Sequence, residues 1–179
     1  MRRPLGLLAF FFFVGVSAGF GAPGVRAVGA LKPTSEFTST KPSQSKVLMR
    51  GEESVLLLCK GLGGYQVKLL HHWERSHLNL DYRGVQVDLG VGSAPGEFHD
   101  KSNDVVQWRG YRKPGGFEPY AMIYRLSSWM ADSPKRRFNT LLVIKLDGVN
   151  SRVVGHVDGS RSNGNTLAEE MADRLCGAR

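Results

Sequence analysis

The stretch Leu56 to Trp73, "LLLCKGLGGYQVKLLHHW", decides the fold, because it holds two apolar runs joined through three glycines in four positions. Ser54 to Cys59 is a short apolar run. Beyond Gly61, Gly63 and Gly64 the chain alternates, with Tyr65, Val67, Leu69, His71 and Trp73 on one face and Gln66, Lys68, Leu70 and His72 on the other. Alternation with period two is the pattern of a half-buried strand. The glycines supply the positive φ that a tight turn needs. They do not read as a phosphate loop, since a strand follows where a helix N-terminus would be required and no Lys-Ser/Thr pair is present.

The same alternation extends through the chain. Leu78, Leu80 and Tyr82 form one set, and Val85, Val87 and Leu89 the next. A polar loop, "GSAPGEFHDKSND" (92–104), leads into Val105–Arg109. Pro119–Trp129 sets Tyr120, Met122, Tyr124 and Leu126 against Ala121, Ile123 and Arg125, and Thr140–Asp147 and Arg152–Asp158 follow. "RKPGG", "ADSPKRR" and "GVNS" read as turns, and short polar turns imply antiparallel neighbours. One helix is evident near the C-terminus. Thr166 and Glu169 have capping-box spacing, Leu167, Met171 and Leu175 recur at helical spacing beside Ala168 and Ala172, and Gly177 is a natural stop. The predicted fold class is α+β: an antiparallel sheet of about six or seven strands, covered on one face by the C-terminal helix.

The N-terminus predicts export. Arg2 and Arg3 precede a charge-free apolar stretch from Leu5 to Phe20, and small residues follow up to Ala27, which is the layout of a signal peptide over residues 1–27. The rival reading is an uncleaved anchor over Pro4–Val25, the only route by which the sequence suggests membrane attachment. Residues 28–51, with "KPTSEFTSTKPSQSK", read as a flexible Ser/Thr/Lys/Pro-rich spacer. Residues 52–179 are then a single globular domain. Loss of the leader removes three arginines from the 24 basic residues and none of the 16 acidic ones, so the net charge falls from +8 to +5. For a protein outside the cytoplasm, that balance suits solubility or contact with an anionic envelope component, not nucleic acid.

Cys59 and Cys176 are the only cysteines. In an oxidising compartment, with each in a segment expected to be buried, they predict one disulfide joining the first apolar strand to the last helix. The chain-entropy model gives such a long loop about 4–5 kcal/mol of stabilisation as an upper figure. The other reading is a reactive thiol at Cys59 assisted by His71 or His72, although no local motif of a cysteine hydrolase surrounds it.

"HHWERSH" (71–77) is the densest group of potential metal ligands. His71 and His72 point to opposite faces of a strand, and only His71 and His77 could meet across a hairpin. No spacing in it matches a dedicated site. "DGSRSNGNTLAE" (158–169) has acids at the first and twelfth positions of a calcium loop, but Asn163 stands where glycine is needed and Arg161 puts a cation inside the ring. No cofactor, metal or catalytic constellation is therefore expected. "WRGYRK" and "PKRR" interleave aromatic and basic residues, and Arg109, Tyr111, Arg112, Lys113, Arg136 and Arg137 are the expected contact surface.

"CKGLGGYQV" (59–67), "VVQWRGYRKPGGFEPYAMIYRL" (105–126) and "LLVIKLDGVNSRVVGHVDGSRSNGNTLAEEMADRLC" (141–176) together resemble a family of small exported proteins of Gram-negative bacteria. That family pairs C-x-G-x-G-G with a later W-R, a strand like A-x-I-x-R, and a terminal helix ending near a cysteine. Related chains often carry a further cysteine in the strand before the helix, where this one has Arg152 and Val153, so the resemblance leaves the partner of Cys59 open. It implies export and fold, and no activity. The expectation for function is a periplasmic or secreted binding or interaction module, with an anionic envelope component or a protein as partner. A Cys59-dependent hydrolase or thiol redox enzyme is the alternative.

Overall fold

The computed structural model describes residues 31–177 except 74, 92, 93 and 97. The candidate leader, residues 1–27, lies outside the described residues. In chain order the elements are β1 (Pro33–Ser39), a short 3-10 turn (Pro42–Gln44), β2 (Lys46–Arg50), β3 (Ser54–Lys60), β4 (Tyr65–His72), β5 (Arg75–Tyr82), β6 (Val85–Val87), β7 (Phe98–Lys113), β8 (Gly116–Met130), β9 (Ser133–Lys145), β10 (Arg152–Asp158) and α1 (Gly164–Cys176). The strands form two antiparallel sheets. The short-stranded sheet runs β2-β3-β4-β5-β6, and the long-stranded sheet runs β1-β7-β8-β9-β10. A single sheet of six or seven strands was expected; there are two sheets of five.

The two sheets share one core. Leu57, Cys59, Val67, Leu69 and Leu80 from the short strands meet Val106, Trp108, Met122, Tyr124, Leu142 and Ile144 from the long ones. The Val153 N–H of β10 donates to Leu89 O at 2.9 Å, which ties the segment just after β6 to the edge of the long-stranded sheet. A second, smaller core lies on the outer face of the long-stranded sheet, where Ala121, Ile123, Leu141, Val143 and Val157 meet Ala168, Ala172 and Cys176 of α1.

Residues 28–51 were expected to be a flexible spacer, yet its described part, from Leu31 on, contains two strands, β1 and β2. β1 pairs with β7 from Pro33↔Tyr111 to Ser39↔Val105, and Trp108 Nε1 donates to Thr38 Oγ1 at 2.8 Å. Backbone pairing and this bond hold a stretch that lacks an apolar pattern of its own. β7 and β8 are also longer than alternation suggests. β7 starts at Phe98, inside the segment read as a loop, because its polar residues pair with β8.

Bulges redirect side chains. In β8, Pro119 lies opposite Gly110 and Ala121 opposite Arg109, so Tyr120 is an extra residue and turns toward α1 with Ala121, leaving the Met122 side on which alternation placed it. Gly110 permits this, since a Cβ there would lie 2.8 Å from Pro119 Cα. The helix also departs from expectation. Its buried line is Gly164, Ala168, Ala172 and Cys176, while Leu175 is 44% exposed. Small residues at four-residue spacing let the helix lie close to the sheet. Asn163 is the N-cap and makes no side-chain cap bond; Glu169 instead accepts from Gln107 on β7, so the capping box is not formed.

Candidate functional site

The glycine turn sits at the β3–β4 hairpin as the sequence requires, with Gly63 and Gly64 at φ +63° and +87°. A Cβ on Gly63 would lie 2.6 Å from Pro119 Cγ, so the turn packs directly on the other sheet. Cys59, just before it, faces the inter-sheet core, and Cys176 lies in the core beneath α1. The expected disulfide is not formed. Both cysteines are free and buried, on opposite sides of the long-stranded sheet.

Burial pushes the Cys59 thiol above its ordinary pKa, against a smaller downward effect from Ser45 Oγ, which donates to Sγ at 3.1 Å. Burial also raises Cys176, partly offset by Lys145 and Arg152. His71 shares the inward face of Cys59, but the ladder places it opposite Val55 while Cys59 is opposite Val67. Four residues of strand separate them by about 13 Å. His71 Nδ1 instead bonds Ser76 Oγ at 2.8 Å across the hairpin, and burial lowers its pKa. His71 and His77 do not meet, because His77 pairs with Leu70 on the other face. Among the described residues no group of three or more His, Cys, Asp or Glu is placed to hold a metal ion. Trp73 lies beyond the end of β4, at φ +53° and 69% exposed, not on the inward face.

The six expected contact residues do not form one surface. Arg112 and Lys113 stand at the β7–β8 turn, and Arg136 and Arg137 in the first residues of β9, beside the far end of β8. The intervening span of β8, from Phe117 opposite Arg112 to Trp129 opposite Arg137, is about 40 Å. The first group is also committed to internal bonds. Arg109 makes a bidentate pair with Asp173 of α1, Nη2 to Oδ2 at 2.6 Å and Nε to Oδ1 at 3.0 Å. Tyr120 OH donates to the same carboxylate, and Tyr111 OH donates to Gly177 O at 2.8 Å. Arg112 is ion-paired with Glu36 and Lys113 with Glu118. The Arg136 guanidinium lies 5.1 Å from the Phe138 ring centre. Burial and the Asp173 bond push the Tyr120 phenol up. Asp173 is held below the usual carboxylate range: burial opposes this, but the bonds from Arg109 and Tyr120 prevail. This cluster fastens the helix to its sheet.

A different basic site emerges on the other sheet. A groove of about 690 Å³ is lined by Gln44, Lys46, Leu58, Cys59, Lys60, Gly61, Gly64, Tyr65, Gln66 and Arg83. No carboxylate is in that lining. Lys46, Lys60 and Arg83 form no ion pair among the described residues, whereas nearby Lys68 bonds Asp81 at 2.8 Å. Asp81 also accepts from the Gly84 N–H at 2.6 Å, so its charge is already answered. Sequence reasoning missed this site because its cations come from three separate strands' ends, and the only local signal was the glycine turn between them. No family model matches the chain, and no curated protein and no solved structure matches it.

Proposed function

We propose that the chain is an exported, periplasmic or secreted binding module that works by contact, not turnover, with an anionic component of the cell envelope as its ligand. The observation that carries this reading is the groove beside the glycine turn, which gathers three cations with no acid in its lining. The positive net charge acts in the same direction, drawing anions toward the surface. The motif resemblance to small exported proteins of Gram-negative bacteria agrees with that location. Thiol chemistry at Cys59 is the weaker reading. A nucleophile needs the thiolate, and burial favours the thiol; the nearest inward histidine on the ladder is bonded elsewhere.

The test is co-sedimentation of the full chain with an envelope fraction at low salt and at about 0.5 M salt, where the Debye length is about 4 Å. Retention at low salt, release at high salt, and identical behaviour of Cys59→Ser are expected. Absence of retention at low salt overturns the reading, as does a turnover that Cys59→Ser abolishes while the fold is kept.

A further inference from the structure

The arrangement of the groove narrows its ligand. In the β2–β3 ladder Lys46 stands opposite Leu58, and Lys60 lies two residues beyond Leu58 on the same face. The two lysines are thus diagonal neighbours, with Cβ atoms about 7–8 Å apart, within the combined reach of their stems. Arg83 closes the third side. Its N–H donates to Gly64 O at 3.1 Å, and its guanidinium lies over the Tyr82 ring, 5.2 Å from the ring centre, with Nε beside Gly64. Gln66, directly opposite Lys60, adds a neutral amide. A monocarboxylate would satisfy one such cation; a phosphate offers several oxygens and suits both ammonium and guanidinium donors.

A second feature adjoins the groove. From Lys46, β2 continues through Val47, Leu48 and Met49, which are 41, 41 and 50% exposed, and ends at Arg50. β2 is the edge of its sheet. A second copy pairing there antiparallel about Leu48 would set Lys46 against Arg50, and like charges directly opposite are destabilising. Cations flanking exposed apolar residues match the interface of an anionic bilayer, where apolar side chains leave water while basic ones meet headgroups. A free anion would use the cations alone.

We propose that the groove receives the phosphate of an anionic lipid headgroup, with Met49, on the same face as Lys46, and the bulged Leu48 beside it entering the membrane interface. This rests on the binding-module reading and deepens it by naming the ligand. The experiment measures partition of the full chain onto vesicles of one-third phosphatidylglycerol in phosphatidylcholine, onto pure phosphatidylcholine vesicles, and chemical-shift changes with inorganic phosphate. Basic residues near an anionic surface contribute about fivefold each, so Lys46→Glu with Lys60→Glu should weaken partition onto the anionic vesicles by about 25-fold or more. Lys135→Glu with Arg136→Glu makes the same charge change on β9, outside the groove, and should cost less than about threefold, since exposed charges more than a Debye length apart are screened. Leu48→Ser should weaken partition with charge unchanged. Should the double variant not fold, Lys60→Gln alone is expected to give about a fivefold loss. Equal losses in the two double variants, or no loss for Leu48→Ser, overturn the proposal. Shifts with phosphate but no partition onto anionic vesicles also overturn it. Failure on vesicles with retention by the envelope fraction removes this inference and leaves the binding module standing; failure of both removes both.

Discussion

On the outer face of the long-stranded sheet, Ile123, Leu141 and Val143 lie under α1 and are almost fully buried. On the outer face of the short-stranded sheet, Leu56, Leu58 and Leu70 remain partly exposed among Lys46, Lys60 and Lys68. The first face is a finished interior, closed by small helical residues and by Asp173 clasped between Arg109 and Tyr120. The second mixes apolar and basic side chains at a surface that no element of the described chain covers. An interior that is filled contributes stability, whereas a mixed face with unanswered cations is available to a ligand. On the covered face Arg109 is spent internally on Asp173; on the bare face Lys68 is answered by Asp81, while Lys46 and Lys60 form no ion pair among the described residues.

The largest expected effect contrasts the two faces directly. Ile123→Ala removes a buried side chain beneath the helix and should cost about 2–4 kcal/mol, from lost burial plus the cavity left behind. Leu70→Ala, on the bare face, should cost less than about 1 kcal/mol, because its exposed atoms have no transfer energy to lose. Urea unfolding of the two variants measures both. Equal costs would mean that the two faces do not differ as described.

Next in size is the clasp. Asp173→Asn leaves Arg109 without its partner and should destabilise by about 2 kcal/mol, below the figure for a fully buried pair because the carboxylate is partly solvated. It should also alter the acid limb of stability. Asp173 has a lowered pKa in the folded protein, so the folded state holds this proton less tightly than the unfolded chain does. Its contribution is therefore fully present above about pH 4 and is lost as the pH falls below that value. Stability measured from pH 7 to 3 should fall less steeply in Asp173→Asn than in the parent. Asp81, lowered chiefly by its bond from Lys68, supplies part of the slope that remains. An unchanged limb would refute the clasp.

Much of this contrast was legible in the sequence, and the missing parts have physical causes. Alternation identified the strands around Val67 and Met122, but period two reports only that a residue faces a core, not which one. Val67 and Met122 read alike and lie in the same core from opposite sheets, so two sheets were counted as one. β1 escaped notice because "PTSEFTS" is held by ladder bonds and by Trp108, not by burial of its own side chains. Tyr120 was placed on the wrong face because a bulge is a property of a pair of strands, and neither strand alone announces it. The contact residues were misassigned for a related reason. Charge is visible in a sequence, but the carboxylate that cancels it can stand 64 residues away, as Asp173 does from Arg109. Lys46, Lys60 and Arg83 looked ordinary because no partner had yet been shown to be missing.

The thiols test the same layering with a smaller effect. Cys59 is mid-sandwich at 1% exposure, while Cys176 ends the helix at 7%. Last helical turns open at lower cost than core strands, so Cys176 should be alkylated about tenfold faster in the native protein, a difference equivalent to about 1.4 kcal/mol of opening free energy. Two reactive thiols should appear once the chain is denatured. Zero thiols would establish a disulfide and require the helix and Cys59 to share a layer, which the two cores do not allow as arranged.

The smallest effect is expected from Leu58→Thr, between Lys46 and Lys68 on the bare face. Threonine is β-branched and suits a strand, and the site is partly open to water, so stability should shift by no more than about 0.5 kcal/mol. The near-null result carries information because Leu58 also lines the groove. A neutral substitution there leaves every cation in place, and only the ligand's contact with the groove wall changes. A loss of about 2 kcal/mol instead would place Leu58 in a packed interior. The short-stranded sheet would then be covered in the folded protein, and the asymmetry between the two faces would be lost along with the site built on it.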